Sequence, residues 1–437
     1  MLSLSGLLFG LALLIFLTMR GVELLVAAPL CALLVAITSG FAVFPQLAAE
    51  GAPNFTGAYM QGFVGFVQTW FFMFLLGSLF GKVMEASGAA DSVAAWIVGT
   101  LGAKHAVAAV VLACAVLTYG GVSLFVVAFS VYPMALSLFR IADVPRRFIP
   151  AALALGSVTF TMTSAGSPEI QNWIPIKFLG TTPYAAWKVS LVVAIAMGVG
   201  GYLWLSWMVR RALARGERFD IRPDDPQTEV RALPAVWQGM APLLAVLVVT
   251  FFWHDTLKES ALIVALGAGV LAGMILNARH LRGGRMTTVA AGGALGALIA
   301  IANTAAVVGF GGVAKLTDGF QTAVGVMTYL PGEPLVGAAI AVSVIAGLTG
   351  SASGGQTIAL PLIAPHYLDL GVDPQALHRV VAISSGALDT LPHNGYVVTT
   401  VRSICKESYT AAYPAVAALT VIVPALGTAL AIILFAF

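Results

Sequence analysis

The chain has 437 residues, of which 59% are hydrophobic and only 9% are charged, whereas an ordinary soluble domain has roughly 25% charged residues. This number of ionisable side chains is too small to cover the surface of a soluble protein of this size. The composition therefore excludes a soluble globule and indicates that a lipid bilayer surrounds the chain. The net charge of +3 is small and no basic patch is interleaved with exposed aromatic residues, so nucleic acid is not expected as a partner. Cys31, Cys114 and Cys405 are scattered and odd in number, which predicts plain thiols rather than disulfides or metal ligands; no cofactor is expected.

The first half contains five apolar segments long enough to cross a bilayer, near residues 3 to 19, 22 to 41, 60 to 81, 148 to 173 and 187 to 208. A further apolar run, 105–139, is interrupted by polar and glycine residues at Thr118–Gly121 and has basic residues at both ends. Such a run predicts a helical hairpin that enters the membrane and returns, with its tip buried in protein or facing a cavity.

The second half repeats this order of segments after an arginine-rich stretch, which we predict to be a cytoplasmic linker at 209–236. Apolar segments follow near 238 to 253, 259 to 276 and 288 to 312, then an interrupted run at 334 to 368, then segments near 378 to 400 and 410 to 436. We therefore predict a first repeat at 1–208, with scaffold helices in 1–100 and a hairpin and broken helix in 104–208. The second repeat is 237–437, with scaffold helices in 237–330 and a hairpin and broken helix in 332–437.

The distribution of basic residues predicts the orientation of the chain. With the amino terminus outside, 17 of the 22 Lys and Arg residues fall on the inner side, and the five outer ones are Lys177, Lys188, Lys258, Lys315 and Arg379. Both termini are then on the outer side, the first hairpin opens to the cytoplasm and the second opens outside. The fold class predicted is an all-α polytopic membrane protein of two inverted repeats, each with three scaffold helices, a re-entrant hairpin, a broken helix and a closing helix. This is the architecture of an alternating-access transporter.

Two predicted helices are interrupted by polar sequence in matching places. Thr159–Asn172 contains Pro168, and Asp389–Gly395 contains Pro392. Because proline removes an amide donor and clashes with the preceding turn, each helix is expected to unwind there. The amide end of each resumed half-helix carries partial positive charge and suits a carboxylate.

The hairpin tips are expected to add further polar groups, with glycine allowing the backbone to approach a ligand closely. We predict that the two tips and the two breaks, none of which contains a Lys or Arg, converge on one small polar pocket that is poor in cations and fits a hydroxy-acid anion. The alternative for the glycines is a tight packing turn. The predicted tip residues are Gly120, Gly121 and Ser123 in the first hairpin, and Ser351, Ser353, Gly354, Gly355, Gln356 and Thr357 in the second.

Three ionisable residues fall at membrane depth and are candidates for coupling-ion binding: Glu169, Asp389 and His393. Each of these three residues could instead have a structural role. Asp389 could cap the second half-helix, Glu169 could face the outer aqueous phase, and His393 could be a hydrogen-bonded part of the scaffold.

Five stretches resemble the gluconate permease (GntP-type) family of the ion-transporter superfamily. They are Tyr119–Phe125 (YGGVSLF), Gly156–Thr163 (GSVTFTMT), Ile170–Asn172 (IQN), Ser351–Gly355 (SASGG) and Leu388–Gly395 (LDTLPHNG). The resemblance covers most of the chain. It implies a bacterial inner-membrane symporter for gluconate or a related hydroxy acid, driven by protons. It also implies a homodimer in which mobile transport domains move against a scaffold, as in an elevator.

Carried over by position, the resemblance implies that several residues face substrate or coupling ion besides the glycine tips: Thr161, Thr163, Gln171, Asn172, Ser353, Asp389, His393 and Asn394. Many members of the family have Gln at the place of Glu169, so Asp389, together with His393, is the stronger candidate for carrying the proton. Sodium coupling stays open as the second hypothesis, with unwound carbonyls and Ser or Asn side chains as ligands. An intramembrane enzyme is disfavoured because the sequence has no nucleophile elbow or zinc motif, and a passive channel fits hairpins on opposite faces less well.

Overall fold

The computed structural model describes residues 2–222, 232–258, 260–281, 285–328 and 333–436. Within these ranges the regular structure is helical, apart from one isolated bridge between Ala42 and Asn54. The predicted all-α polytopic fold is confirmed. Among the described residues six helices are long and apolar enough to cross a membrane: Phe55–Ser87, Leu124–Ile141, Trp187–Ala214, Val236–Leu257, Met286–Ala314 and Tyr409–Ala436.

The first half begins with four helices, α1 (Leu2–Met19), α2 (Leu24–Thr38), α3 (Phe55–Ser87) and α4 (Ala89–Leu101). The α3 helix starts where the Asn54 side chain accepts a hydrogen bond from the Gly57 amide, and it ends at Gly88, whose φ of 77° is left-handed. Its 33 residues span about 50 Å, well beyond the ~30 Å hydrocarbon core of a bilayer.

A helical hairpin and a broken helix follow. The hairpin consists of α5 (Ala106–Tyr119) and α6 (Leu124–Ile141). The broken helix starts as α7 (Ile149–Ala154), widens into a π-helical turn at Leu155–Thr159, and resumes through a 3-10 turn at Ile170–Asn172 into α8 (Ile174–Leu179). Its unwound part contains Pro168, as predicted, and we call residues 160–169 break 1. The closing helix is α9 (Trp187–Ala214).

The second half has its helices in the same order. They are α10 (Val236–Leu257), α11 (Ser260–Leu276), α12 (Arg285–Ala314), α13 (Asp318–Thr328), the hairpin α14 (Pro334–Thr349) and α15 (Ala352–Asp369), the broken pair α16 (Pro374–Leu388) and α17 (Gly395–Val398), then α18 (Tyr409–Ala417) and α19 (Val423–Ala436). Two π-helical turns, Thr399–Ile404 and Ala418–Ile422, extend α17 and join α18 to α19. Residues 389–394 are break 2. The opposite orientation of the two halves in a membrane, and a dimer, stay predictions.

The α9 helix continues into the stretch predicted as the linker. It ends at Ala214, so Arg210 and Arg211 lie on a helix, and α10 begins at Val236. Long arginine side chains are good helix formers and can extend from a helix end into water, so a helix need not stop where the charge begins. Residues 223–231, together with Arg282 of the predicted inner loops, lie outside the described residues.

The helices pack in two groups. In the first, α3 lies along α12, flanked by α2 and by the α10–α11 pair. Glycines allow this close approach, since a Cβ at Gly312 would lie 2.6 Å from the Ala58 carbonyl oxygen and one at Gly62 would lie 2.6 Å from that of Val308. The second group contains the two hairpins, the two broken helices, α9, α18 and α19. The two breaks and the tips of the hairpins lie within this second group.

Candidate functional site

A buried arginine holds break 1 in its unwound form. Arg379, on α16, is fully buried (0% exposed). Its Nε and Nη2 donate to the Ala185 carbonyl at 3.1 and 2.9 Å, and its Nη1 donates to the Thr163 carbonyl and, at 3.0 Å, to Asn172 Oδ1. An unwound helix frees carbonyl groups that need donors, and a guanidinium supplies five.

The charge count of the sequence assigns Arg379 to the outer side of the membrane, and the structure shows this residue fully buried inside α16. No Lys or Arg falls within the two tips or the two breaks, but Arg379 reaches break 1 from α16. The guanidinium touches break 1 directly, although neutral oxygens of the protein occupy its donors.

Two residues predicted to face a ligand bond instead to the backbone around break 1. The Asn172 amide donates to the Ser167 carbonyl at 3.1 Å and to the Pro183 carbonyl at 2.9 Å, while its oxygen accepts from Arg379. The Thr161 hydroxyl donates to the Gly156 and Ser157 carbonyls at 2.9 and 2.8 Å, at the π-helical turn. Thr163 is buried and takes part through its carbonyl.

The tip of the first hairpin packs against α10 and break 1. A Cβ at Gly120 would lie 2.7 Å from Leu243 Cδ2 of α10, and one at Gly121 would lie 3.4 Å from Pro168. Gly121 has a φ of +92°, which glycine adopts without strain. These glycines therefore make a tight packing turn, the alternative stated above. Ser123 is half-buried, precedes α6 and makes no side-chain cap hydrogen bond.

The tip of the second hairpin is a capped helix start. The Ser351 hydroxyl accepts from the Gly354 amide at 3.2 Å and lies 3.2 Å from the Ser353 hydroxyl. The Thr357 hydroxyl donates to the Ser353 carbonyl at 2.8 Å. A Cβ at Gly355 would lie 2.5 Å from Ala346 Cα, so this glycine allows α14 and α15 to approach. Capping and close packing thus explain most of the polar and glycine residues predicted at this tip.

Break 2 is attached to this second tip. Asn394 Nδ2 donates to the Gly350 carbonyl at 3.0 Å, and Asn394 Oδ1 accepts from the Val397 amide at 3.0 Å and so caps α17. The alternative that Asp389 caps the second half-helix is therefore wrong. The His393 ring packs on Gly350, where a Cβ would lie 2.6 Å from its Cδ2. The ring also faces the backbone of Gly347.

Asp389 is buried at the end of α16, with 4% of its surface exposed. Its carboxyl group faces the backbone amides of Thr390 and of Ala352, the first residue of α15. The partial positive charge of that helix start favours a carboxylate. Among the described residues Asp389 makes no ion pair, and its Oδ1 has no hydrogen-bond partner. Arg379 is ten residues away on the same helix, or about 15 Å.

Two glutamines connect these elements. Gln356 Nε2, on α15, donates to the Gln171 carbonyl at 3.1 Å and to the Ser385 hydroxyl at 2.8 Å. Gln356 lies one turn beyond Ala352, and Ser385 lies one turn before Asp389, so these side chains share the contact between α15 and α16. The Oε1 atoms of Gln171 and Gln356 are buried and have no hydrogen-bond partner among the described residues. The structure therefore brings together Gln171, Gln356 and Asp389, with His393 at the adjacent tip.

Glu169 is half-buried in break 1. Among the described residues, its carboxylate makes no hydrogen bond or ion pair with Asp389 or His393.

Sequence reasoning missed three residues of the site: Arg379, Ser385 and Tyr119. The Tyr119 hydroxyl donates to the Ala165 carbonyl of break 1 at 2.6 Å. Arg379 left a signal, because a charged residue at the start of an apolar segment predicted at 378–400 is costly in lipid unless the protein binds it.

Comparison with known proteins identifies the class. The fold is that of polytopic membrane transporters: the chain aligns over 99% of its length with the YdaH transporter of Alcanivorax borkumensis (97% of that chain, 16% identity, TM-score 0.54). It also aligns over 94% of its length with MtrF of Neisseria gonorrhoeae, described as illuminating a class of antimetabolite efflux pumps (93% of that chain, 14% identity, TM-score 0.52). No protein-family model matches the chain.

Two relatives are closer in sequence. The chain is 37% identical over 434 residues to the uncharacterised transporter YxjC of Bacillus subtilis, with 90% of each protein covered. It is 26% identical over 341 residues to an uncharacterised transporter of Haemophilus influenzae, with 75% of each covered. The chain belongs to the transporter family that includes YxjC. It is a membrane transporter and not an enzyme.

Proposed function

We propose that this transporter is a GntP-type symporter that imports gluconate or a related small hydroxy-carboxylate together with protons. The observation that carries the proposal is Asp389, a buried carboxyl group without an ion-pair partner in the described part of the chain. Burying a carboxylate that has no cationic partner in a protein interior costs several kcal/mol, and binding a proton removes that cost. Loading and release of a proton at Asp389, with His393 beside the same tip, would couple transport to the proton gradient.

The chemistry of the neighbouring groups supports a hydroxy acid as substrate. The orphaned Oε1 atoms of Gln171 and Gln356 are acceptors, which pair with the hydroxyl donors of a sugar acid. The substrate carboxylate is an acceptor and needs donors, which the amides at the start of α15 and α17 supply. The side-chain caps at Ser351 and Asn394 use only part of those amides.

The transport cycle we propose uses the two packing groups of the fold. The hairpins, the broken helices and the closing helices would move as a transport domain against α1–α3 and α10–α12, in the manner of an elevator. The similar order of helices in the two halves supports two inverted repeats, which give nearly equivalent inward-open and outward-open states. A homodimer in the bacterial inner membrane, with both termini on the periplasmic side, completes the proposal.

Sodium coupling is the second candidate, and a specific observation favours it. Asp389 Oδ1 and the two glutamine Oε1 atoms are buried oxygens without described partners, and hard cations take oxygen ligands of this kind. In that case the ion, rather than a proton, would neutralise Asp389.

Reconstituted liposomes distinguish these candidates. We expect the protein to accumulate labelled gluconate when the outside is made acidic, and Asp389→Asn to abolish accumulation but keep gluconate counterflow, which needs no net proton movement. Asp369→Asn, an exposed aspartate at the end of α15, is the matched control. Full acid-driven accumulation by Asp389→Asn would exclude Asp389 from coupling. Uptake that follows a sodium gradient and ignores the pH gradient would support the second candidate.

A further inference from the structure

A long groove lies between the two packing groups of the fold, with walls formed by α5, break 1, α9 and α10. Its volume is about 1150 Å³, which exceeds the roughly 300–1,000 Å³ of a typical small-molecule pocket. Apolar side chains form nearly all of its surface. Neither Gln356 nor Asp389 is among the described residues that line it, so the groove is separate from the site proposed for the hydroxy acid.

Two walls of the groove carry stripes of apolar residues at helical spacing. On α9 the stripe contains Leu191, Ile195 and Val199, each of which is more than half exposed. On α10 it contains Leu244 and Phe251, which are also more than half exposed. In a membrane transporter, an apolar surface of this kind is covered by lipid chains or by another protein.

Small residues keep the groove open at its base. Ala194 and Gly198 lie one turn apart on α9, and Ala115 lines the groove from α5. A Cβ at Gly198 would lie 3.5 Å from the Phe160 ring of break 1. The groove therefore has protein on several sides, so a lipid chain inside it makes more van der Waals contacts than one on a single helix surface. Because lipid chains are as apolar as leucine, such packing contacts decide which lipid stays bound.

The length of the groove matches one leaflet of a bilayer. Its lining extends from Trp187 to Tyr202 on α9 and from Met240 to His254 on α10, or about 22 and 21 Å at 1.5 Å per residue. One leaflet with its headgroup region is about 20–22 Å thick, because the whole bilayer is about 40–45 Å. One phospholipid can therefore extend along the groove from its headgroup to the ends of its chains.

One end of the groove carries groups that suit a phosphate. The Tyr184 and His254 rings lie 4.8 Å apart between centroids, so the start of α9 and the end of α10 meet there. Two exposed lysines are at this end. Lys188 Nζ lies 5.9 Å from the centre of the Trp187 ring, and Lys258 is one turn beyond His254. Tyr and Trp side chains lie preferentially at headgroup level, and lysines near a membrane surface attract anionic lipids.

The histidine and an aspartate at this end have other partners. His254 Nε2 lies 3.3 Å from Asp255 Oδ1, and His254 Nδ1 lies 2.7 Å from the Phe251 carbonyl oxygen. The phosphate is therefore assigned to Lys188 and Lys258.

We propose that this groove binds one anionic phospholipid, whose chains fill the space between α5, α9 and α10 and whose phosphate binds Lys188 and Lys258. The bound lipid bridges the two packing groups, because α5, break 1 and α9 belong to one group and α10 belongs to the other. The inference goes beyond the function proposed above and does not depend on the substrate or the coupling ion.

Native mass spectrometry of the full-length protein in detergent tests the site, because it counts both the bound lipids and the protein copies. The probe is dioleoyl phosphatidylglycerol, and dioleoylglycerol has the same chains without the phosphate. Ala194→Trp fills the groove, and Gly198→Leu is a second groove variant in case the first fails to fold. Ala196→Trp is the matched control, because Ala196 is exposed on the same helix and is not among the groove residues.

A second set of variants tests the headgroup contacts. Lys188→Gln combined with Lys258→Gln removes both charges. Lys177→Gln is its control, because Lys177 is an exposed lysine on α8 that is not among the groove residues.

We expect the groove variants to weaken phosphatidylglycerol binding by on the order of tenfold or more, with Ala196→Trp unaffected. Each lysine should contribute about fivefold, so the double replacement should weaken binding by roughly 25-fold and remove the preference over dioleoylglycerol.

Three results would overturn the proposal. Equal phosphatidylglycerol binding by Ala194→Trp and Ala196→Trp would exclude the groove as the site. Equal binding of dioleoylglycerol and phosphatidylglycerol by the unsubstituted protein, or an equal loss in Lys177→Gln, would exclude the two lysines as the phosphate ligands. Loss of an oligomer in Ala194→Trp but not in Ala196→Trp would assign the groove to a second copy of the chain instead of a lipid.

Discussion

The replacement Arg379→Met tests whether the buried guanidinium is what keeps break 1 in its unwound form. Methionine retains much of the apolar length of the side chain but removes all five donors. The Thr163 and Ala185 carbonyls and Asn172 Oδ1 then lose the partner that the structure gives them. The Pro183 carbonyl keeps its bonds from the Gly166 amide and from Asn172.

The magnitude follows from those three acceptors. A buried acceptor left unpaired costs about 1–3 kcal/mol, so three give at least about 3 kcal/mol. Removal of a buried cation that has no acidic partner recovers some desolvation free energy, which reduces the net loss. We therefore expect a net destabilisation of about 2–4 kcal/mol. Because the unpaired groups lie in and beside break 1, transport should fall further than the amount of folded protein.

Thermal unfolding in detergent, and counterflow of the proposed substrate gluconate in liposomes, measure the two effects separately. Arg402→Met is the matched control, since Arg402 is exposed and stacks only on the Tyr409 ring, at 4.8 Å; it should change stability by less than about 1 kcal/mol. Arg379→Lys retains the charge but not the planar fork of donors and should give an intermediate loss. If Arg379→Met melted at the temperature of the unsubstituted protein and transported at its rate, the clamp we describe would be refuted.

Two further replacements test the second hairpin tip and the buried ion pair at Glu407. Gly350→Ala places a methyl group 2.6 Å from the His393 ring at a φ of +60° and should reduce liposome transport by about tenfold or more. Gly371→Ala is the control, because Gly371 has a φ of +78° but no atom within 4 Å of the added methyl group, so it tests the backbone strain alone. An equal loss of transport in Gly371→Ala would show that strain, and not the contact with His393, causes the effect. Glu407→Gln removes the buried carboxylate that pairs with Arg146 at 3.0 Å and should lower stability by about 3–5 kcal/mol in detergent melts. Glu217→Gln breaks only a partly exposed pair and should cost less than about 1 kcal/mol, so similar melting temperatures for the two variants would contradict this reasoning.

The contacts around break 1 show where sequence reasoning stopped. The unwinding near Pro168 and Pro392 could be predicted, because proline and polar residues interrupt apolar segments that are otherwise long enough to span. What satisfies the freed carbonyls could not be predicted. Arg379 is 216 positions from Thr163 in the chain, and no local pattern pairs residues so far apart.

The residues of the candidate site could likewise be predicted from the sequence only in part. Asp389 and His393 could be identified from sequence, because an ionisable residue is costly inside a membrane wherever it lies. Ser351, Asn172 and Asn394 were equally conspicuous, but the structure shows their polar atoms bonded to the protein's own backbone. Residue type alone cannot separate a helix cap from a ligand contact, because the same oxygen and nitrogen atoms do both.

By itself the sequence determined the apolar surroundings, the order of the long apolar segments, and the two places where helices break. These follow from local hydrophobicity, chain length and the missing amide of proline, each of which acts over one or two turns. Only the tertiary structure decided which polar groups remain free. Hydrogen bonds such as those of Arg379, Gln356 and Asn394 join segments far apart in the chain. The polar groups that remain unpaired are those that no side chain or backbone group of a distant helix reaches once the helices have packed.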